Sequence, residues 1–157
     1  MTAWIQVLHG LQSCARGEWA TCRRQLEAGL HASEKGESAL ARLFAHLQLG
    51  SFHARCDDQA GLVACLNAVD QPALRSAPMG GAVARWLQAR RCYLAGDAVQ
   101  ALSLAEKAME EMADFGVWCA EDHWLFVAQL ALVAGNRRAA RALLQRLQAR
   151  HERRPLQ

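Results

Sequence analysis

The chain has 157 residues, of which 52% are hydrophobic and 21% charged, with a net charge of +3. That hydrophobic share is enough for one packed core and excludes a disordered chain, while so small a positive balance does not by itself imply nucleic acid. Three prolines in an alanine- and leucine-rich vocabulary point away from strands and toward helices.

The first residues, from Met1 to Ile5, lack the basic stretch and cleavage site of a secretory signal. The most continuous apolar run, Trp124 to Gly135, is about 12 residues and too short to cross a bilayer. Cys14, Cys22, Cys56, Cys65, Cys92 and Cys119 contain no CxxC pair. These features together predict reduced thiols in a cytoplasmic protein.

Along the chain, four stretches echo one another: Ala15-Arg16-Gly17-Glu18, Ala54-Arg55-Cys56-Asp57, Leu94-Ala95-Gly96-Asp97 and Val133-Ala134-Gly135-Asn136. From Gly17 to Cys56 is 39 positions, from Cys56 to Gly96 is 40, and from Gly96 to Gly135 is 39. A fixed period of this size predicts stacked copies of one supersecondary unit. The expected units cover approximately residues 3–33, 37–70, 80–113 and 120–151, within a single domain over 1–157. Between the second and third lies 70–81, with two prolines and two adjacent glycines, read as a connecting loop.

The third unit shows the plan most clearly. Ala82 to Ala95 reads as a helix, Gly96-Asp97 as a turn with a left-handed cap, and Ala98 to about Met112 as a second helix. Ala101, Leu102, Ala105, Ala108, Met109 and Met112 recur at the spacing of one buried face. The fourth unit repeats it with Asp122 to Ala134, Gly135-Asn136, and Arg137 to about Arg150. Aligned on the turn, small residues recur five positions later (Cys22, Gly61, Ala101, Ala140). Seven positions earlier stand Gly10, Leu49, Ala89 and Ala128, three of them small, which predicts close helix pairs.

The stretch from Tyr93 to Met109 resembles the tetratricopeptide repeat in its aromatic-x-x-Gly-Asp turn, its Ala-Leu and its later alanine. Trp124 and Gly10 stand where that repeat has its early tryptophan and first-helix glycine. Units about five residues longer than the ordinary 34 are similar to the maltose-regulator (MalT) type, found in LuxR-family transcription activators. HEAT and armadillo arrays have similar periods, but the Gly-Asp turn favours the tetratricopeptide likeness. The resemblance implies an all-α, right-handed superhelical solenoid of four helix-turn-helix repeats, with about eight antiparallel helices. It implies a concave groove lined by the first helix of each unit. The groove positions so carried over are Trp4 and Leu11, then His46 and His53, then Trp86, Arg90 and Tyr93, and last Leu125, Gln129 and Leu132.

Trp86, Arg90 and Tyr93 share one helix face, and two rings beside a guanidinium suit a peptide carboxylate, a sugar or another flat polar ligand. The competing reading packs Trp86 and Tyr93 against the neighbouring unit, with Arg90 in solvent. No phosphate loop, nucleophile elbow or HExxH occurs, and His53-x-x-Cys56-Asp57 lacks a metal site's spacing. No catalytic residue, metal or cofactor is expected. Charge is divided along the end of the chain: Glu106, Glu110, Glu111, Asp114, Glu121 and Asp122 precede Arg137, Arg138, Arg141, Arg146, Arg150, Arg153 and Arg154. With Leu143, Leu144 and Leu147 as a buried stripe, Arg138, Arg141, Arg146 and Arg150 read as a solvated cap. They could alternatively serve as a basic patch for an acidic partner or nucleic acid, although no aromatic residues stand beside them for base stacking. A head-to-tail contact with the acidic segment of another copy would give a homodimer.

The function expected is non-enzymatic recognition of a peptide, protein or small effector in the groove, as the sensing or interaction part of a bacterial transcription regulator. The alternative is a free-standing adaptor or chaperone of a secretion or assembly system.

Overall fold

Four closely similar turns organise the chain. The computed structural model describes residues 2–36, 38–114 and 121–152. Cys119, Arg153, Arg154 and the side chains of Asp114, Glu121, Arg150 and Glu152 lie outside the described residues. The helices are α1 (Ala3–Ala15), α2 (Trp19–Glu34), α3 (Ala39–Arg55), α4 (Gln59–Val69), α5 (Pro72–Arg75), α6 (Gly80–Leu94), α7 (Ala98–Asp114), α8 (Glu121–Val133) and α9 (Arg137–Glu152). No strand occurs among the described residues. None of their helices is long and apolar enough to cross a membrane.

In each hairpin turn one residue is left-handed: Gly17 (φ 76°), Asp57 (φ 56°), Gly96 (φ 85°) and Gly135 (φ 80°). The next N–H reaches back to a carbonyl five residues earlier: Glu18 to Ser13 (2.9 Å), Asp58 to His53 (2.9 Å), Asp97 to Cys92 (3.0 Å) and Asn136 to Ala131 (2.7 Å). This bond closes a helix C-terminus by satisfying a carbonyl that the helix leaves unpaired. Three of those following residues then start the next helix: Asp58 accepts from Gly61 N (2.9 Å), Asp97 from Gln100 N (2.9 Å) and Asn136 from Ala139 N (3.1 Å). Glu18 makes no such side-chain cap and pairs with Arg16 at 3.1 Å.

The second turn corrects the sequence alignment. Asp57, not Cys56, takes the left-handed place, and Asp58, not Asp57, caps α4. Aspartate enters that conformation more readily than most residues because its short side chain bonds locally. Aligned on the left-handed residue, the position seven earlier becomes Gly10, Gly50, Ala89 and Ala128, small in all four. A methyl on Gly10 would sit 2.8 Å from Leu26, and one on Gly50 2.6 Å from Leu87. The missing side chain leaves room for Leu26 against α1 and for Leu87 against α3.

Within hairpins, α1 packs on α2, α3 on α4, α6 on α7 and α8 on α9. Between them, α3 meets α1 and α2, α6 meets α3 and α4, and α8 meets α7. Buried apolar side chains form one set from Val7 to Ala140. The 70–81 connection carries the one-turn α5, with Pro72 at its start and Leu74 buried, so it is a packed segment more than an open loop. A methyl on Gly80 would strike the backbone carbonyls of Leu74 and Arg75.

His53, expected in the groove, lies inside the second hairpin. Its ring is buried, its Nδ1 meets the Asp58 carboxylate at 2.8 Å, and it occupies the space a Gly61 side chain would need. Gly61→Ala is therefore expected to push the imidazole off Asp58 and to lower stability by about 1–3 kcal/mol in urea unfolding. A cost below about 0.5 kcal/mol would show that the ring moves aside freely.

Candidate functional site

Trp86, Arg90 and Tyr93 do share one face of α6, and α8 covers that face. The Trp86 ring is wholly buried; its indole N–H donates to Ser51 Oγ on α3 (3.2 Å), and its centroid lies 4.5 Å from His123 and 5.4 Å from Phe126. Tyr93 meets Phe126 edge-on at 5.6 Å and accepts a hydrogen bond from Gln129 Nε2 at 2.7 Å. The packed reading thus describes Trp86, and the indole offers no face to a ligand. Arg90 departs from both readings. It is 8% exposed, with its guanidinium carbon 3.6 Å above Phe126 and 5.3 Å from the Trp86 centroid.

Arg90 makes no ion pair among the described residues, and its buried Nε has no hydrogen-bond partner. Burial pulls its guanidinium down to about 9, the like charge of Arg55 adds to that, and Asp122 opposes it. The group is still a cation at neutral pH. Arg55, at the end of α3, donates to Asp122 on α8 at 2.6 Å and to Cys14 Sγ on α1 at 3.3 Å. Arg55 and Arg90 therefore both feel the Asp122 carboxylate, which only Arg55 pairs with among the described residues. Composition did not single out Phe126, Ser51, Asp122 or Arg55, because their roles arise only when hairpins are juxtaposed.

Of the other expected groove residues, Gln129 joins Tyr93, and among the described residues no contact with that face is seen for the rest. Trp4 is half-buried and stacks on Phe44 at 4.7 Å, joining α1 to α3. Leu11 is half-buried, while Leu125, Gln129 and Leu132 are exposed on α8. His46 is buried on α3, its Nδ1 without a hydrogen-bond partner. Burial holds its imidazole below the usual value, with Glu34 opposing and Arg42 adding. The folded protein thus binds fewer protons here than the unfolded chain, so stability should fall as pH drops below about 6.5, by at most about 1.4 kcal/mol per pH unit. His46→Gln should flatten denaturation midpoints between pH 7 and 5; an unaltered slope would assign the effect elsewhere.

The described arginines of α9 border different depressions. Arg137, Arg138 and Arg141 border one shallow depression. Arg146 borders another, of about 380 Å³, floored by Met109, Trp124, Val127 and Leu143 and rimmed by Glu106 and Glu110. The Arg150 side chain is outside the described residues. Leu147 is buried, but Leu144 is 44% exposed, so the expected buried stripe is incomplete.

Among the described residues no three His, Cys, Asp or Glu side chains are grouped to hold a metal. Cys14, Cys22, Cys56, Cys65 and Cys92 are free thiols. Burial pushes Cys22 and Cys65 up to about 12, so neither is a nucleophile at neutral pH. Comparison with protein-family models, with curated proteins and with solved structures returns no match.

Proposed function

We propose that the four hairpins stack as a right-handed, tetratricopeptide-like solenoid and that the chain is a non-enzymatic recognition module. Its inner row of helices (α1, α3, α6 and α8) receives a peptide, protein or small effector that carries a carboxylate. The stacking is supported by four closely similar turns and by packing in which each hairpin meets the next in sequence. Recognition is carried by one observation: Arg90, a buried cation without an ion pair among the described residues, backed by Phe126 and within the electrostatic reach of Arg55 and Asp122. An isolated buried charge is costly, and proteins keep such groups where a ligand completes them. A carboxylate seated on Arg90 would gain a charge-assisted hydrogen bond in a partly desolvated place. By the resemblance of its longer units to the maltose-regulator type, we read this module as the sensing or interaction part of a LuxR-family type of regulator.

The test is selection of displayed peptides with free C-termini on the wild-type protein, followed by measurement on Arg90→Met. Selected peptides should lose at least about tenfold in affinity on the variant, and amidating their C-terminus should cost about as much on the wild type but little more on Arg90→Met. Peptides that bind both proteins equally would remove Arg90 from the site.

A further inference from the structure

Counting from the left-handed turn residue shows how one hairpin mates with the next. Ten positions before it stand Val7, Leu47, Trp86 and Leu125; twelve and nine before it stand Ile5 and Leu8, Ala45 and Gln48, Ala84 and Leu87, and His123 and Phe126. The third and fourth hairpins display the match: Trp86 of one touches His123 and Phe126 of the other. Between the second and third, Leu87 of the third lies over Gly50, where a side chain on that glycine would stand. Each hairpin thus has a front face, twelve and nine positions before the turn, and a back face ten positions before it.

At both ends of the chain the mating faces are apolar and uncovered. On the back face Val7, Leu47 and Trp86 are buried, whereas Leu125 is 50% exposed. Leu144 on α9 stands where Leu26, Leu66 and Ala105 are buried, and is uncovered with it. On the front face the residues of hairpins two to four are buried, whereas Ile5 is 42% and Leu8 50% exposed. Here α1 contains no Asp, Glu, Lys or Arg in its 13 residues.

We infer that the back face of one copy, Leu125 and Leu144, receives the front face of a second copy, Ile5 and Leu8. A foreign partner would require only one open end. This chain leaves open both halves of a contact it already makes internally, in the same register. The uncharged α1 brings no cation against Arg137 and Arg141, which border the depression beside Leu144. The contact joins unlike faces, so it propagates head to tail instead of closing as a symmetric pair. The inference rests on the repeat arrangement proposed above and is independent of what Arg90 binds.

Sedimentation equilibrium with two variants tests it. Ile5→Glu with Leu8→Glu blocks the front, and Leu125→Glu with Leu144→Glu blocks the back; all four positions are exposed, so both should keep wild-type helicity by circular dichroism. Leu8→Gln and Leu125→Gln repeat the pair in milder form. The wild-type mass should rise with concentration above the 17.3 kDa of one chain, while each blocked variant stays at that mass. Mixing the two should give a species of about twice one chain and nothing larger, because only one pair of faces remains. A wild type that stays at one-chain mass overturns the inference, as does a mixture that does not pair. Self-association of either blocked variant also overturns it, since that would join like faces. Peptide binding through Arg90 is read separately, so either reading can fail alone.

Discussion

Trp86→Ala should cost about 3–5 kcal/mol, the largest single effect expected in this chain. The indole is fully enclosed, and its neighbours come from three hairpins: Ser51 on α3, Arg90 on its own helix, and His123 and Phe126 on α8. Removing it leaves a cavity between hairpins that cannot close without moving α8. The damage should also be uneven. Because this ring joins α6 to Phe126 and His123 of α8, its loss should free the fourth hairpin more than the first, with the Arg55–Asp122 pair as a remaining tie. Hydrogen exchange should therefore accelerate across α8 and α9 much more than across α1 and α2. Trp86→Phe keeps most of the ring and loses the bond to Ser51, so the polar part of its cost should be about 0.5–1.5 kcal/mol. If Trp86→Ala cost under about 1 kcal/mol and left exchange in α8 unchanged, the ring would not be joining these hairpins.

This expectation differs from the one the sequence alone supports, and the reason is physical. Helical spacing places Trp86, Arg90 and Tyr93 on one face but says nothing about what covers that face. The cover is Phe126, 36 positions after Arg90, on the second helix after its own. The turns themselves were legible because a left-handed residue is a severe local demand, and Gly17, Gly96 and Gly135 meet it openly. Asp57 meets it in disguise, which moved the second unit out of register by one and hid Gly50 as the partner of Gly10, Ala89 and Ala128. His53 looked available because its partners, Asp58 and Gly61, belong to the helix that follows the turn. The four-residue α5 lies within a segment whose prolines and glycines read as loop, and one helical turn is too short to show a period. Exposure at the ends was illegible for a related reason. Leu125 and Leu144 have the same apolar character as their buried counterparts, and only their place in the row separates them.

Arg90→Met should stabilise the protein by about 1–4 kcal/mol while abolishing recognition of the carboxylate. Two terms oppose each other at this position. The guanidinium gains a cation–π contact with Phe126 at 3.6 Å, worth about 2 kcal/mol where water is excluded. Against it stands the loss of hydration of a buried ion that has no carboxylate within ion-pair distance among the described residues, several kcal/mol after relaxation. The second term is larger, so a methionine of similar length, which fills the same slot and needs no hydrogen bond, should raise the melting temperature. Arg90→Lys should do the reverse. It keeps the charge but has a more strongly hydrated head and no planar face to lie on Phe126, and both stability and affinity should fall. A stabilised, non-binding methionine variant is the pattern of a residue retained for a ligand at the expense of the fold. A clear drop in stability with Arg90→Met would instead make Arg90 a packing residue, held for its contact with Phe126 and not for anything arriving from solvent.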